Sequence, residues 1–188
     1  MTTMRATSAR ARGFGIALCG AALLLAATGC DSKTKATPAN FTQALNAFYL
    51  AHPDCLFVDA QHFPFETYDA TITKEMDALV SVDLMTVQRE PSIHASRYTL
   101  TPAGTRAGPR FCYGHRVIGS IDSSSPPALS NGFEETRLEY HYTMKDIPVW
   151  VNTEKMKAAF PAMAKEISGS ATGTATLAKT MTGWQVPQ

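Results

Sequence analysis

The sequence predicts an α+β fold in which N-terminal helices precede an antiparallel sheet, and one further helical segment precedes a C-terminal hairpin. Two patterns carry this prediction. Apolar residues recur at helical spacing after residue 40 and again within residues 151–168. Residues 135–144 instead alternate between apolar and polar side chains, which is typical of a half-buried strand.

The composition is that of an ordinary globular chain. Of 188 residues, 45% are hydrophobic, and 17 Lys and Arg stand against 16 Asp and Glu, a formal net charge of +1. This hydrophobic fraction and charge balance exclude a disordered chain, and the residue usage is not that of a collagen-like or disulfide-rich chain. Because there is no basic excess, the composition does not indicate a nucleic-acid-binding protein.

Two helices are predicted at the start of the folded part. Asn40 can cap the first, which should end near Pro53, because proline disfavours a helical residue before it. Its apolar face carries Phe41, Leu45, Phe48 and Tyr49. After a loop through residues 63–65, Thr73 can cap the second helix. Residues 85–100 are then expected to form two short strands around a loop that holds Pro91.

Two longer strands are predicted at residues 110–121 and 135–144, joined by a loop at residues 122–131. We expect Arg116 to lie opposite Glu139, because this register keeps the polar side chains on one face and the apolar ones on the other. The other expected cross-strand pairs are Tyr113 with Tyr142, His115 with Tyr140, Val117 with Leu138, and Cys112 with Thr143.

The last third of the chain predicts a divided helix and a hairpin. Pro161 interrupts the helical segment at residues 151–168, since proline lacks a backbone donor and clashes with the preceding turn. Residues 174–181 and 184–186 are expected to pair, with Gly183 in the turn between them.

Residues 1–29 have the three parts of a secretory signal peptide. Arginines 5, 10 and 12 are the only charges, an uncharged run from Gly13 to Gly29 follows, and small residues end it. The run is short for a membrane span, which needs about 20 predominantly apolar residues. An uncleaved signal anchor is the alternative interpretation.

The segment Ala27-Thr28-Gly29-Cys30 resembles the lipobox of bacterial lipoproteins, with Ala27 where that class usually has leucine. The resemblance implies cleavage before Cys30, a lipid on its thiol and an acylated new N-terminus, with palmitate expected among the acyl chains. The protein would then be anchored in a bacterial envelope membrane and face the periplasm. Asp31 resembles the signal for inner-membrane retention in enteric bacteria, but the rule varies between groups, so inner and outer membrane both stay open.

The predicted organisation is a signal peptide at residues 1–29, a lipidated cysteine with a flexible tether at 30–39, and a single α+β domain at 40–188. The tether is predicted because residues 31–39 are small and polar and include a proline. In an oxidising compartment Cys55 and Cys112 are expected to form a disulfide, with two buried thiols as the alternative.

Residues 73–104 resemble the end of a winged-helix domain, in which a helix is followed by two strands around a wing. The resemblance rests on Arg89 in the first strand and on the segment Tyr98-Thr99-Leu100-Thr101-Pro102-Ala103-Gly104. In that class the helix reads the major groove, but residues 74–79 present no basic face. We therefore predict the shape without nucleic-acid binding.

The sequence contains no nucleophile motif and no glycine-rich phosphate loop. His52, Cys55 and His62 do not predict a metal site, because Pro53 would break the helix that could align them and no second cluster completes the set. We expect no metal and no cofactor. His115 beside Tyr113 and Tyr140 is the candidate ligand-facing group, and a hydrogen-bonded core histidine is the alternative.

Three functions are compatible with these observations. The first is a non-catalytic binding or scaffold module for another envelope protein or a small ligand. The second is an enzyme that acts on envelope material through a polar centre of His115 and tyrosines. The third is an inhibitor of a periplasmic enzyme that inserts the proline-containing loop at residues 124–129. A cavity at His115 with an acidic neighbour would favour the enzyme, and a filled core there would favour the binding module.

Overall fold

The computed structural model describes residues 33–187, so the predicted signal peptide and Cys30 lie outside the described residues. The chain forms five α-helices over this range: α1 (Pro38–Ala51), α2 (Ala70–Ser81), α3 (Pro102–Ala107), α4 (Glu154–Ala159) and α5 (Pro161–Ile167). Two short 3-10 helices lie at Pro91–Ile93 and Val149–Asn152. Its strands are β1 (Asp54–Cys55), β2 (Phe65–Thr67), β3 (Met85–Glu90), β4 (Ala95–Leu100), β5 (Cys112–Ser124), β6 (Ala128–Ser130), β7 (Phe133–Lys145), β8 (Ala171–Thr180) and β9 (Gly183–Gln185). The predicted α+β class is confirmed.

The strands form two antiparallel sheets. The larger has the order β1-β5-β7-β8-β9, with β6 also paired to β7, and the smaller has the order β2-β4-β3. Helix α1 packs against β5 and β9, and α5 packs against β7. Along β7 the predicted alternation is confirmed, since Leu138, Tyr140, Tyr142 and Met144 are buried in the core. One face of the larger sheet thus carries the core and the other carries polar side chains.

Both predicted helix caps are displaced by a few residues. Thr37 caps α1 by accepting a hydrogen bond from the N–H of Asn40, with Pro38 in the first turn. Asp69 caps α2 by accepting hydrogen bonds from the N–H groups of Thr71 and Ile72. The predicted caps, Asn40 and Thr73, lie one turn inside their helices. Each helix therefore starts at an equally suitable cap that lies further upstream.

The predicted register of the two long strands is wrong. Arg116 lies opposite Met144, and Glu139 lies opposite Ser123. The register shifts between Ile118 and Ser120 and again between residues 121 and 123. Each such bulge adds an unpaired residue to β5, which a strictly alternating pattern does not reveal. His115 pairs with Lys145, and Tyr140 pairs with Ile121. The partner of Arg116 is displaced along β7 by five residues, from Glu139 to Met144, which is more than the two bulges account for.

The loops hold more secondary structure than the sequence predicts. The segment at residues 63–65 leads into β2, and the loop at residues 122–131 contains the end of β5 and all of β6. Thr101 caps α3, so the segment after β4 begins a short helix. The strands on either side of Pro91, the division of the helix at Pro161 and the final hairpin are confirmed. Gly183, however, begins β9 opposite Thr180, and residues 181–182 form the turn.

The described part of the predicted tether lies against the last hairpin. The indole N–H of Trp184 donates to the carbonyl oxygens of Thr34 and Lys35, at 3.2 and 3.1 Å. The side-chain amide of Asn40 donates to the carbonyl of Lys35 at 2.9 Å. A buried indole N–H needs an acceptor, and the backbone at residues 34–35 supplies it. Within residues 33–187, no helix has the length and apolarity needed to cross a membrane.

Candidate functional site

A cluster of charged side chains lies where β1, β5 and α5 meet. The Arg116 guanidinium donates from Nε and Nη2 to the two carboxylate oxygens of Asp54, at 3.0 and 2.8 Å. Its Nη2 also lies 3.3 Å from Oε1 of Glu166. The three side chains are only 21%, 17% and 24% exposed, respectively. A paired-fork contact of this kind is the geometry in which arginine binds a carboxylate most specifically.

Tyrosines enclose this cluster. The guanidinium carbon of Arg116 lies 5.1 Å from the ring centre of Tyr49 and 4.8 Å from that of Tyr142, distances at which a cation interacts with an aromatic face. The hydroxyl of Tyr113 donates to Oε2 of Glu166 at 2.5 Å. The hydroxyls of Tyr49 and Tyr140 share a hydrogen bond.

Local backbone geometry brings Tyr113 and Arg116 to the same carboxylate. Gly114 between them has φ +136°, and a Cβ added there would lie 2.5 Å from the carbonyl oxygen of Lys145. The pairing of β1 with β5 shifts register at this point. Because glycine tolerates a positive φ and the close approach, β5 can bend here, and both side chains reach Glu166.

The surroundings shift the pKa values of these groups. Desolvation lowers the pKa of Arg116. The hydrogen bonds to Asp54 and the charge of that carboxylate raise the pKa by more, so the net shift is upward. Burial raises the pKa of Tyr113, and the hydrogen bond to Glu166 adds to this. Burial also raises the pKa of Tyr140, with a smaller contribution from Tyr49. All three side chains therefore keep their protons at neutral pH.

A cavity of about 200 Å³ lies beside the cluster. It is lined by Cys55, Leu56, Glu75, Tyr113, Ala159, Phe160, Pro161, Ala162 and Met163. Glu75 is half-buried, and its carboxylate makes no hydrogen bond or ion pair with any residue in the described range. Desolvation raises the pKa of Glu75, and the charge of Asp69 raises it further. Glu75 is thus the one carboxylate at this site that lacks a partner among residues 33–187.

The structure separates His115 from the other candidate residues that were named from the sequence. Cys55 and Cys112 form the expected disulfide, which ties β1 to the start of β5. Tyr113 and Tyr140 both belong to the buried surroundings of Arg116. His115 does not lie against Tyr140, and its Nδ1 is 3.3 Å from the exposed carboxylate of Asp146. His115 has the acidic neighbour expected of a catalytic centre, but it does not line this cavity.

Within residues 33–187, no three His, Cys, Asp or Glu side chains are grouped so that they could hold a metal ion. His52 stacks on Phe48, with ring centres 4.2 Å apart, and its Nδ1 lies 2.8 Å from the carbonyl of the same residue.

Sequence reasoning missed Asp54, Glu75 and Glu166, and it placed Arg116 on the solvated face. The three carboxylates lie on three separate elements that are far apart in the chain, so no spacing rule connects them. The local signal is the presence of Tyr113 on β5 and of Tyr140 and Tyr142 on β7, whose hydroxyls bring polar groups into the core. Comparisons with protein-family models, with curated proteins and with solved structures found no match to this chain.

Replacing Glu75 with glutamine is expected to raise the free energy of unfolding at pH 7. The folded-state pKa of Glu75 is above its unfolded value, so the ionised carboxylate destabilises the fold increasingly as the pH rises through that range. The gain should disappear below about pH 4, where the carboxyl is protonated in both states. Urea unfolding at both pH values checks this. Asp59→Asn, at an exposed position, should show no such difference, and an equal gain at both pH values would contradict the assignment.

Proposed function

We propose that this chain is a membrane-anchored envelope lipoprotein whose folded domain binds another envelope protein without catalysing a reaction. Two separate features support the proposal. The lipobox-like segment ending at Cys30 supports the anchor. The unpartnered carboxylate of Glu75, in a cavity beside a cluster whose other charges are already paired, supports binding.

The polar cluster is better suited to structure than to catalysis. Catalytic acids and bases need pKa values near the working pH, so that they can both give and take a proton. The environment instead moves the pKa values of Tyr113 and Arg116 away from neutrality, and both donate to carboxylates. Their protons are therefore engaged in holding β5, β1 and α5 together.

The cavity suits the end of one basic side chain. Asp54 and Glu166 place two carboxylates on the single guanidinium of Arg116, and Glu75 adds a third carboxylate in the adjacent cavity, so the region carries an excess of negative charge when all are ionised. At about 200 Å³ the cavity is below the usual size of a small-molecule pocket. A lysine or arginine presented by a partner protein would supply the missing counter-charge to Glu75. A buried, hydrogen-bonded charge pair of this kind gives specificity to an interface.

The anchor is tested by metabolic labelling with an alkyne analogue of palmitate. The wild-type chain should be labelled, and Cys30→Ala should abolish the label. An unlabelled wild-type protein, or label that persists in Cys30→Ala, would show that the anchor assignment is wrong.

The binding surface is tested by crosslinking in living cells. A photo-crosslinking side chain at position 162, where Ala162 lines the cavity and is exposed, should yield a discrete crosslinked product. Glu75→Gln should remove that product or weaken it at least tenfold, while Asp59→Asn should leave it unchanged. A product that is equally strong in both variants would refute the role of Glu75.

A further inference from the structure

Two tight turns lie together at one end of the larger sheet. Asn131 and Gly132 connect β6 to β7, and residues 181–182 connect β8 to β9. The two turns are neighbours because the start of β7 pairs with the end of β8, where Glu135 lies opposite Ala178. We call this region, which presents Leu129, Phe133 and Met181, the hairpin end.

The hairpin end exposes three large apolar side chains. Leu129 is 82% exposed, Phe133 is 52% exposed and Met181 is 99% exposed. Leu129 lies opposite Glu134, and Phe133 lies opposite Ser130, so Leu129 and Phe133 point to opposite faces of their hairpin. A protein surface laid on one face of this hairpin would leave the other apolar side chain in water. A bilayer interface that surrounds the turns would cover both.

The chain enters the domain at this same end. A Cβ added to Gly183 would lie 3.3 Å from the carbonyl oxygen of Lys33, and Trp184 binds the next two carbonyls. Lys33 and Lys35 are exposed here, next to the β8–β9 turn. Basic side chains in this position are attracted to anionic lipid headgroups. On the hairpin, Glu134 is paired with Lys179 at 2.8 Å, while Glu135 is half-buried and lines the same pocket as Phe133.

Chain length places the proposed anchor close to this end. Only three peptide units separate Cys30 from Lys33, and even fully extended they span at most about 11 Å. Because residues 34–35 are hydrogen-bonded to Trp184, the segment after Lys33 cannot extend this distance without breaking those contacts. A lipid on Cys30 would thus bring the hairpin end to the membrane surface.

We infer that the hairpin end lies on the lipid bilayer, with Leu129, Phe133 and Met181 in the interfacial region and Lys33 and Lys35 at the headgroups. The inference rests on the proposed lipid anchor at Cys30. It defines one orientation of the domain, in which the apolar turns face the membrane. Apolar side chains that would otherwise be exposed to water are then shielded by lipid.

The inference is tested with the mature, lipidated protein, which begins at Cys30 and so lacks Cys19, in liposomes of phosphatidylcholine and phosphatidylglycerol. Met181→Cys accepts a single thiol-reactive fluorophore, because Cys30 is acylated and Cys55 is bonded to Cys112. Nitroxide-labelled lipids should quench this fluorophore several-fold more than one at Ile93→Cys, a control in the loop of the smaller sheet. Fluorophores at Leu129→Cys and Phe133→Cys should both be quenched as well.

The possible failures are distinguishable. If the protein does not sediment with the liposomes, the lipid anchor is wrong and the inference fails with it. If the protein sediments but position 181 is quenched no more than position 93, the orientation alone is wrong. If position 181 is shielded from aqueous iodide but not quenched by lipid, a protein contact covers the hairpin end, which also overturns the inference.

Discussion

Replacing both Cys55 and Cys112 with serine is expected to lower the free energy of unfolding by about 4 kcal/mol. The bond joins residues 57 positions apart, so its removal restores a large conformational freedom to the unfolded chain. The folded state should loosen as well, since β1 consists of only two residues and one of them, Cys55, is held by the bond. Asp54 would then be held less firmly against Arg116.

Urea unfolding followed by circular dichroism measures this loss. The matched control is the wild-type protein under strong reducing conditions, which should fall to the stability of the double serine variant. Each single serine variant should lose a similar amount, because either one removes the bond. A double variant that loses less than about 1 kcal/mol would show that the disulfide does little to constrain the unfolded chain.

The second large effect is expected for Arg116→Met, which should cost about 3 kcal/mol of stability. Methionine can replace much of the aliphatic stem of the side chain between the Tyr49 and Tyr142 rings. It leaves the Asp54 and Glu166 carboxylates largely buried without their counter-charge, which is the costly part of breaking such a pair. Arg116→Lys keeps the charge but loses the two-pronged contact, so an intermediate loss is expected.

A double-mutant cycle separates the ion pair from general disruption of the core. Asp54→Asn should cost clearly less in the Arg116→Met background than in the wild-type background, because the carboxylate has already lost its partner. Arg137→Met, at an exposed position on the polar face of β7, should change stability by no more than about 0.5 kcal/mol. Additive effects of the two cluster substitutions would contradict the proposed coupling.

The features predicted correctly from the sequence are those that depend on short-range patterns. The alternation along β7 requires only that one face be buried, and Pro161 divides its helix wherever that helix packs. Helix starts were less predictable. Thr37 and Asn40, like Asp69 and Thr73, are both good capping residues, and a local pattern does not show which member of each pair is used.

The candidate site was predictable only in part. The pairing of Cys55 with Cys112 follows from the small number of cysteines left after the proposed processing. The burial of Tyr113 and Tyr140 is predicted by their positions on the apolar faces of their strands. Glu75 and Glu166 lie on helices, and in the sequence a carboxylate beside the apolar stripe of a helix resembles any solvated surface residue.

The sequence by itself determined the α+β class, the division of the last helical segment and the one plausible disulfide partnership, because each depends on neighbouring residues or on composition. It also contains the lipobox-like segment from which the anchor is proposed. Only the tertiary structure decided the register of β5 against β7, the meeting of Arg116 with Asp54 and Glu166, and the packing of residues 33–35 on Trp184. The physical reason is that bulges and long-range ion pairs are selected by the packing of the whole domain, and a local periodic pattern carries no record of either.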